Sequence, residues 1–335
     1  MSTQSLYRPI TIGPVHIEGN LFLAPLAGYT DRSMRFLALE QGANLSYTEM
    51  VSAEGLARNS KPTKLLLRPA DNETLLAVQL FGPKASVFER SLENLSHHRV
   101  ALIDINCGCP VPKVIKTGAG SALLRSAQTI YEIVSVMTKA RLAPVSVKIR
   151  LGWDAKSINY RETTDAAVQG GALMITMHAR TKTMGYAGQA DWEALADLKS
   201  YLKATAPHVL LFGSGDLFSP SDAQKMLQQT GVDGIMFARG ALGNPFIFAQ
   251  SRQLLQTGHL PPLPTASERT QMLLKHLNLL IKDVGEEAGC TLMRKHAAHY
   301  VKGIPGSSSV KQALVQARSY AEYKEACSLL PLGLS

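Results

Sequence analysis

Short apolar runs alternate with amphipathic stretches along most of the chain, and this alternation is the first guide to its fold. Apolar runs bounded by polar or turn residues are typical of strands that are buried on both faces. Eight such runs predict strands over Leu21–Ala24, Leu45–Thr48, Leu75–Gln79, Leu102–Asn106, Val145–Arg150, Met174–His178, Val209–Gly213 and Gly234–Phe237. The stretches between them predict helices over Asp31–Gln41, Glu49–Arg58, Lys84–His97, Gly120–Ala140, Asn159–Gln169, Asp191–Thr205, Ser219–Gln229 and Asn244–Gln256.

Eight successive strand–helix units predict an α/β fold of the (β/α)8 TIM-barrel type. A doubly wound parallel sheet is the alternative. That fold usually has fewer strands, and no G-x-G-x-x-G motif follows the first predicted strand of this chain. The barrel is therefore the favoured fold.

The pattern changes after the eighth unit. The proline-rich segment Leu260-Pro261-Pro262-Leu263-Pro264 predicts a linker over 259–264. Helical patterns without intervening strands then follow over Ser267–Glu287, Leu292–Val301, Val310–Arg318 and Tyr320–Leu329. We therefore expect a barrel domain over 1–258 and an all-helical domain over 265–335.

In a TIM barrel the carboxyl ends of the strands meet on one face, and that face carries the chemistry. Glycines after the seventh strand (Gly213-Ser214-Gly215-Asp216) and the Ala238-Arg239-Gly240 segment after the eighth indicate a phosphate site, because they offer free backbone N–H groups beside a cation. The alternative is that these glycines only form turns.

Three polar side chains end other strands and face the same predicted pocket: Gln79, Lys148 and His178. Glutamine offers a donor and an acceptor to a planar heterocycle. A lysine inside a strand needs an anionic partner, and a reduced flavin is a suitable one. The alternative for Lys148 is an ion pair with Glu49. The alternative for His178 is a histidine that only packs in the core.

The chain has four cysteines, at positions 107, 109, 290 and 327, which do not form a disulfide framework and fit a reducing compartment. A structural zinc site needs four ligands, and Cys290 and Cys327 belong to the other predicted domain, so we expect no metal. The C-x-C spacing also differs from the C-x-x-C of disulfide exchange. This leaves a single acid, base or nucleophile, for which Cys109 is the better candidate because Gly108 and Pro110 project it over the mouth, whereas Cys107 fits a packing role.

The formal net charge is +9 and the pI is about 9.4, which suggests an anionic partner, with nucleic acid as the first candidate. The alternative is a charge that serves solubility alone. Basic side chains gather in 291–325. The first 15 residues show no apolar signal core, and no apolar run reaches the roughly 20 residues of a membrane span. We expect a cytoplasmic monomer with no membrane segment.

Several long motifs resemble the tRNA-dihydrouridine synthases, in particular the bacterial B-type branch. They are Ala24-Pro25-Leu26-Ala27-Gly28-Tyr29-Thr30-Asp31, Thr48-Glu49-Met50, Asp104-Ile105-Asn106-Cys107-Gly108-Cys109-Pro110, Lys116–Leu124, Val147–Trp153, His178–Thr181, Arg239–Pro245 and Arg294-Lys295-His296. Their order and number make the resemblance specific, and it covers nearly the whole chain.

The resemblance implies an FMN-dependent enzyme that reduces a uridine of tRNA to 5,6-dihydrouridine, with NADPH as reductant. Hydride would pass from flavin N5 to C6 of a flipped-out base, and Cys109 would give the proton to C5. Asn106 matches the residue that holds the uracil. The flavin-contacting positions are matched by Pro25, Leu26, Ala27, Gln79, Lys148 and His178, and the phosphate end by Ser214, Gly215, Asp216, Ala238 and Arg239.

Basic residues near the mouth and on the last helices are the candidates for tRNA contact: Lys113, Lys116, Arg150, Arg180, Lys182, Arg294 and Lys295. Three positions depart from the family pattern, which has Asn at 214, Gly at 238 and usually Met at 26. The backbone N–H donors are kept at the changed positions, so we still expect the protein to bind FMN. The competing functions are a flavin barrel that acts on a small metabolite, such as a dihydroorotate-dehydrogenase-like enzyme, and a tRNA-binding protein without chemistry.

Overall fold

The structure is a computed structural model and describes residues 5–330. Eight parallel strands form its centre: β3 (Leu21–Leu23), β4 (Leu45–Tyr47), β6 (Leu76–Phe81), β7 (Leu102–Asn106), β8 (Val145–Arg150), β9 (Met174–His178), β10 (Leu210–Ser214) and β11 (Gly234–Phe237). They pair in this order, β11 returns to β3, and β4 pairs with β6. The sheet is therefore closed, which confirms the TIM barrel and excludes the doubly wound alternative.

The helices surround the barrel and then continue beyond it. Ten of them lie within the barrel region: α1 (Arg32–Glu40), α2 (Ala53–Ala57), α3 (Lys61–Leu65), α4 (Ala85–Ser96), α5 (Pro112–Ile115), α6 (Ala127–Lys139), α7 (Tyr160–Gln169), α8 (Trp192–Thr205), α9 (Pro220–Thr230) and α10 (Ile247–Thr257). Four follow in the C-terminal region: α11 (Ala266–Val284), α12 (Glu286–Tyr300), α13 (Ser307–Gln316) and α14 (Tyr320–Ser328). The predicted domain ends at 1–4 and 331–335 lie outside the described residues.

An N-terminal hairpin, which the sequence pattern did not predict, closes one end of the barrel. It consists of β1 (Ile10–Ile12) and β2 (Val15–Ile17). The hairpin isoleucines share one buried cluster with the inward-facing Phe22 and Phe212, whose rings stack with centroids 4.4 Å apart. Since this plug fills the amino-terminal end of the barrel, the carboxyl ends of the strands form the only open mouth among the residues described.

Two predicted helices are broken by local signals. The stretch 49–58 forms a short strand, β5 (Val51–Ser52), before α2, because Ser52 caps that helix by accepting a hydrogen bond from the Gly55 N–H. The stretch 120–140 divides into a 3-10 helix (Gly120–Arg125) and α6, whose N-cap is Ser126. Serine interrupts a helix here because its side chain satisfies the free N–H groups of the next one.

The C-terminal helices have a core of their own that joins the barrel through Leu37 of α1. A polar cluster lies at the same junction. Asp31 caps α1, and its second carboxylate oxygen lies 3.6 Å from Nε2 of His296, beside His276. Burial alone would raise the pKa of Asp31, but the two histidines and the cap hydrogen bond lower it to about 2. The helices are thus held against the loop that follows β3, which is part of the barrel mouth.

Among the described residues, no helix combines the length and apolar character that crossing a membrane requires.

A buried ion pair fixes α1 against the barrel and leads to the first prediction. Arg35 and Glu73 are 2% and 0% exposed in their side chains, and the same carboxylate also accepts hydrogen bonds from Ser46 Oγ and the Ala70 N–H. We expect Arg35→Met to lower the free energy of unfolding by about 3–5 kcal/mol in urea, because the Glu73 charge stays buried without its partner.

The matched control is Arg58→Met, which removes the exposed ion pair with Glu54 on α2. Exposed ion pairs of this kind contribute little to the free energy of unfolding, so this variant should unfold at the same urea concentration as the wild type. Equal losses in the two variants would contradict the stabilising role of the Arg35–Glu73 pair.

Candidate active site at the mouth of the barrel

A cavity of ≈ 950 Å³ opens where the barrel strands end. Its size is that of a pocket for a cofactor together with part of a substrate. The candidate residues of the sequence analysis that line it are Pro25, Leu26, Ala27, Gln79, Asn106, Cys109, Lys148, Arg150, His178, Ser214, Gly215, Asp216, Ala238 and Arg239. The fold therefore gathers the proposed acid and the proposed flavin contacts in one space.

The loop after β7 is held in place by the side chain at the end of that strand. The Asn106 side-chain carbonyl accepts hydrogen bonds from the backbone N–H groups of Gly108 (3.2 Å) and Cys109 (2.9 Å). Arg150 Nε donates to the Gly108 carbonyl at 2.8 Å from the neighbouring strand. Asn106 thus positions the Cys109 loop, and its contact with a base stays a prediction.

A chain of hydrogen bonds runs below this loop. Gln79 accepts from Asn106 Nδ2 at 2.7 Å and donates to the Asp104 carboxylate at 2.6 Å, and Ser146 Oγ donates to the other Asp104 oxygen. Burial raises the pKa of Asp104 to about 6, although the two donors and the nearby Lys148 oppose the shift. The sequence analysis did not single out Asp104, although an acid inside the apolar run 102–106 is a visible signal.

The two thiols of the C-x-C motif differ in access. Cys109 is 9% exposed and lines the cavity, whereas Cys107 is 0% exposed and packs in the barrel core. Burial raises the pKa of both thiols, and Arg150 and Lys148 partly oppose the shift at Cys109. Cys109 therefore stays a protonated thiol at neutral pH, which is the form an acid needs.

Cations dominate the floor of the cavity. Burial, with the neighbouring Arg150, lowers the pKa of Lys148 to about 8, and Lys148 has no hydrogen-bond or ion-pair partner among residues 5–330. The alternative pairing with Glu49 is not formed, because that carboxylate accepts a hydrogen bond from the Gly28 N–H. Burial and the surrounding cations also lower the pKa of His178 far below its usual range, so its ring is neutral.

The glycines after β10 and β11 form a cradle with no room for a side chain. Gly215 has φ +117°, and a Cβ atom there would lie 3.0 Å from Cδ2 of His178. A Cβ on Gly240 would lie 2.1 Å from the Leu217 carbonyl oxygen. Ser214 donates its hydroxyl to the Met236 carbonyl, so it joins β10 to β11 and leaves the backbone to face the cavity.

Two of the residues predicted to contact RNA, Arg150 and Arg180, make several hydrogen bonds within the protein. Arg180 is 1% exposed, donates two hydrogen bonds to the Asp216 carboxylate and one each to the Ala187 and Gly188 carbonyls. The guanidinium of Arg180 is thus buried and engaged by protein groups, and its contact with tRNA stays a prediction. Arg150 is 2% exposed and lines the cavity, and its Nη1 donates to the Thr181 and Gly185 carbonyls of the loop after β9. Its contact with RNA also stays a prediction.

The other predicted RNA contacts lie outside the cavity. Lys113 and Lys116 are exposed on and just after α5, Lys182 is half-buried after β9, and Arg294 and Lys295 are half-buried on α12. Lys295 Nζ lies 5.6 Å from the centre of the Tyr29 ring. The contact of these five cations with RNA stays a prediction.

The cavity has further lining residues, of which only Lys302 was expected from the sequence, as a phosphate contact in the basic segment 291–325. Arg269, His299 and Lys302 of the C-terminal helices line its outer side. Tyr186 and Phe218 lie against the Arg239 guanidinium, with ring centres at 4.5 and 5.2 Å. No strand-end rule could find these residues, because they come from loops and from the second group of helices.

Comparison with known proteins identifies the family of this chain. Residues 22–331 match the family described as Dihydrouridine synthase (Dus). The chain belongs to the dihydrouridine synthase family. It is 43% identical to a probable tRNA-dihydrouridine synthase of Treponema pallidum, over 99% of this chain and 100% of that protein. It is 36% identical to tRNA-dihydrouridine synthase B of Pseudomonas aeruginosa, over 89% of this chain and 88% of the relative.

Solved structures support the architecture of this family member. The histamine dehydrogenase of Rhizobium sp. 4-9 superposes with a TM-score of 0.55 at 15% identity, over 82% of this chain and 51% of the larger enzyme. A 2-naphthoyl-CoA reductase superposes with a TM-score of 0.57 at 10% identity, over 75% of this chain and 52% of that one. At such identities the likeness concerns the fold alone.

Proposed function

We propose that this protein is an FMN-dependent tRNA-dihydrouridine synthase that uses NADPH as reductant. The observation that carries the proposal is the meeting, in one cavity, of a protonated thiol and a set of cations. Membership of the dihydrouridine synthase family supports the reaction, and the relatives are named for tRNA as substrate.

The residues present fit FMN. Four cations, Lys148, Arg150, Arg180 and Arg239, lie in or beside the cavity floor, whereas the acids there are Asp104 and Asp216. An anionic ligand would balance this excess, and FMN carries a phosphate and becomes anionic on its ring when reduced. Gly215 and Gly240 with Arg239 would hold the phosphate, and Lys148 and His178 would lie along the ring.

FMN, once reduced, supplies the hydride for the uracil C5=C6 bond. The protein supplies the proton and the placement. Cys109 holds the proton on Sγ at the wall of the cavity, and the Asn106 side chain fixes the backbone from which this thiol extends. The neutral His178 ring is available as a hydrogen-bond donor or acceptor. A target base must leave its stack to reach this depth.

The C-terminal helices complete the substrate side of the site. Arg269, His299 and Lys302 form the outer wall of the cavity. Arg294 and Lys295 lie on α12, the helix that also carries His299. The lysines and arginines of this group suit the phosphates of an RNA whose base enters the mouth. The proposal also includes a barrel domain over 1–258, a linker over 259–264 and a helical domain over 265–335. It further includes a monomeric state and a cytoplasmic location.

The direct test is the dihydrouridine content of unmodified tRNA treated with the purified protein and NADPH, measured by nucleoside mass spectrometry. We expect dihydrouridine to form, and the purified protein to be yellow with the absorption bands of FMN. A flavin-loaded protein that leaves tRNA unchanged would contradict the proposal and favour the small-metabolite flavin enzyme. A colourless protein that binds tRNA would favour the function without chemistry.

A further inference from the structure

An indole on the rim of the barrel mouth holds two cations at once. Trp153 follows β8, and the guanidinium carbon of Arg125 lies 3.4 Å from the centre of its ring. Nζ of Lys182 lies 4.3 Å from the same ring. Trp153 and Lys182 are half-buried, and Arg125 is exposed. The indole thus draws together two like charges that come from separate loops.

No acid neutralises this pair. Among residues 5–330, neither Arg125 nor Lys182 has a carboxylate within ion-pair distance. The nearest acid in sequence, Asp154, accepts hydrogen bonds from the Lys156 N–H and the Ser157 hydroxyl. Contact with an aromatic ring stabilises each cation by about 0.5–2 kcal/mol, but it leaves both positive charges in place. The pair is therefore open to an anionic ligand.

The loop that carries Lys182 also forms the wall of the cavity. The Lys182 and Thr183 N–H groups donate to the carbonyls of Gly152 and Trp153, which ties this loop to the end of β8. Tyr186 of the same loop lines the cavity. The cation pair therefore lies on the rim itself, beside the entrance to the proposed site.

The position on the rim is opposite to the C-terminal helices. In the closed order of eight strands, β8 is four strands away from β3, and the helix after β3 is the one that packs on the C-terminal helices. An elongated polyanion that binds those helices and covers the mouth would arrive at Arg125 and Lys182 on the other side. A small nucleotide bound inside the cavity has no need of this second contact.

We propose that Arg125, Trp153 and Lys182 form a second anchor for RNA phosphates, across the mouth from the C-terminal helices. The inference rests on the proposed function, because it takes the RNA substrate as the occupant. The indole keeps the two cations on the rim, and the phosphates of the RNA strand that borders the target base bind between or beside them. Two-sided attachment then centres the target over the cavity.

The test is the affinity of the FMN-loaded protein for unmodified tRNA, measured at several salt concentrations. We expect the double variant Arg125→Gln/Lys182→Gln to bind tRNA about tenfold more weakly at low salt, with a slope of log Kd against log salt smaller by about 1 to 2, because two phosphate contacts are lost. Flavin content and NADPH oxidation in the absence of tRNA should equal those of the wild type.

The matched control is Lys139→Gln/Lys203→Gln, which removes the same charge from exposed positions in the last turns of α6 and α8. These turns point to the opposite end of the barrel, so tRNA affinity should change little. A second variant, Trp153→Leu, keeps both cations but removes the ring, and we expect it to lose affinity with a smaller change of the salt slope.

Equal tRNA affinities for the rim double variant and its control would overturn the inference, and so would a higher KM for NADPH with unchanged tRNA binding. Dihydrouridine formation by the wild type is measured in parallel. If the wild type forms none, the proposed function fails by that assay, whereas the rim anchor is judged by tRNA binding alone.

Discussion

Cys109→Ala should lower the rate of dihydrouridine formation by a factor of about 10²–10⁴, the usual contribution of a positioned general acid. The thiol lines the cavity wall next to Asn106, and burial keeps it protonated by raising its pKa. The measurement is single-turnover conversion of unmodified tRNA by enzyme that has first been reduced with NADPH.

Cys107→Ala is the matched control, because this neighbouring thiol is buried in the barrel core and does not line the cavity. It should convert tRNA at close to the wild-type rate. Reduction of the flavin by NADPH should be unchanged in the Cys109 variant, since no proton from Cys109 is needed there. Equal conversion by Cys109→Ala and the wild type would remove Cys109 from the role of acid.

The pH profile gives a second sign of the same acid. A thiol acts as a proton donor only below its pKa, and burial moves the pKa of Cys109 above the ordinary value of 9.0. Conversion by the wild type should therefore hold through neutral and mildly alkaline pH and fall only above that value. The residual conversion by Cys109→Ala should lack this alkaline fall.

Most of the barrel could be predicted from sequence, because parallel strands buried on both faces leave continuous apolar runs. The end of each run then located Asn106, Lys148 and His178 on one face. The hairpin over 10–17 could not be predicted in this way. Its strands have only three residues each, which is too short to show an alternation of apolar and polar positions, and they are buried only because the barrel is there. Helix α11 ends at Val284, three residues before the predicted limit of Glu287, because Gly285 with a φ of +85° breaks the helix.

The limits of the sequence reasoning are clearest for the arginines. Arg150 and Arg180 were candidates for RNA contact because charge near a strand end suggests a ligand. Whether a guanidinium is free depends on carbonyl groups of other loops, and here those of Gly108, Thr181 and Gly188 engage them. Such contacts form only when distant segments meet, so they leave no local pattern.

Lys148→Met should lower the reduction potential of the bound flavin. Lys148 is a cation in the cavity floor with no protein partner among the described residues, and an anionic reduced ring is the partner we propose for it. A hydrogen bond to a charged group is worth about 1.5–3 kcal/mol. If this hydrogen-bond free energy is lost only in the reduced form, the two-electron reduction potential of the flavin falls by about 30–65 mV.

The effect should depend on pH in a defined direction. In the free protein, burial lowers the pKa of Lys148 to about 8, and binding of an anion beside it raises that pKa again. Stabilisation of the reduced flavin is therefore fully present below pH about 8 and is lost as the pH rises through the higher pKa of the complex. The difference in potential between wild type and Lys148→Met should shrink over the same range.

Lys116→Met provides the control, because it removes an equal charge from an exposed position outside the cavity. Its potential should follow that of the wild type at every pH, and its flavin content should be unchanged. Equal potentials for Lys148→Met and Lys116→Met from pH 6 upward would mean that Lys148 does not face the flavin ring. The cation would then serve the buried Asp104 carboxylate instead, and Lys148→Met should raise the pKa of that acid.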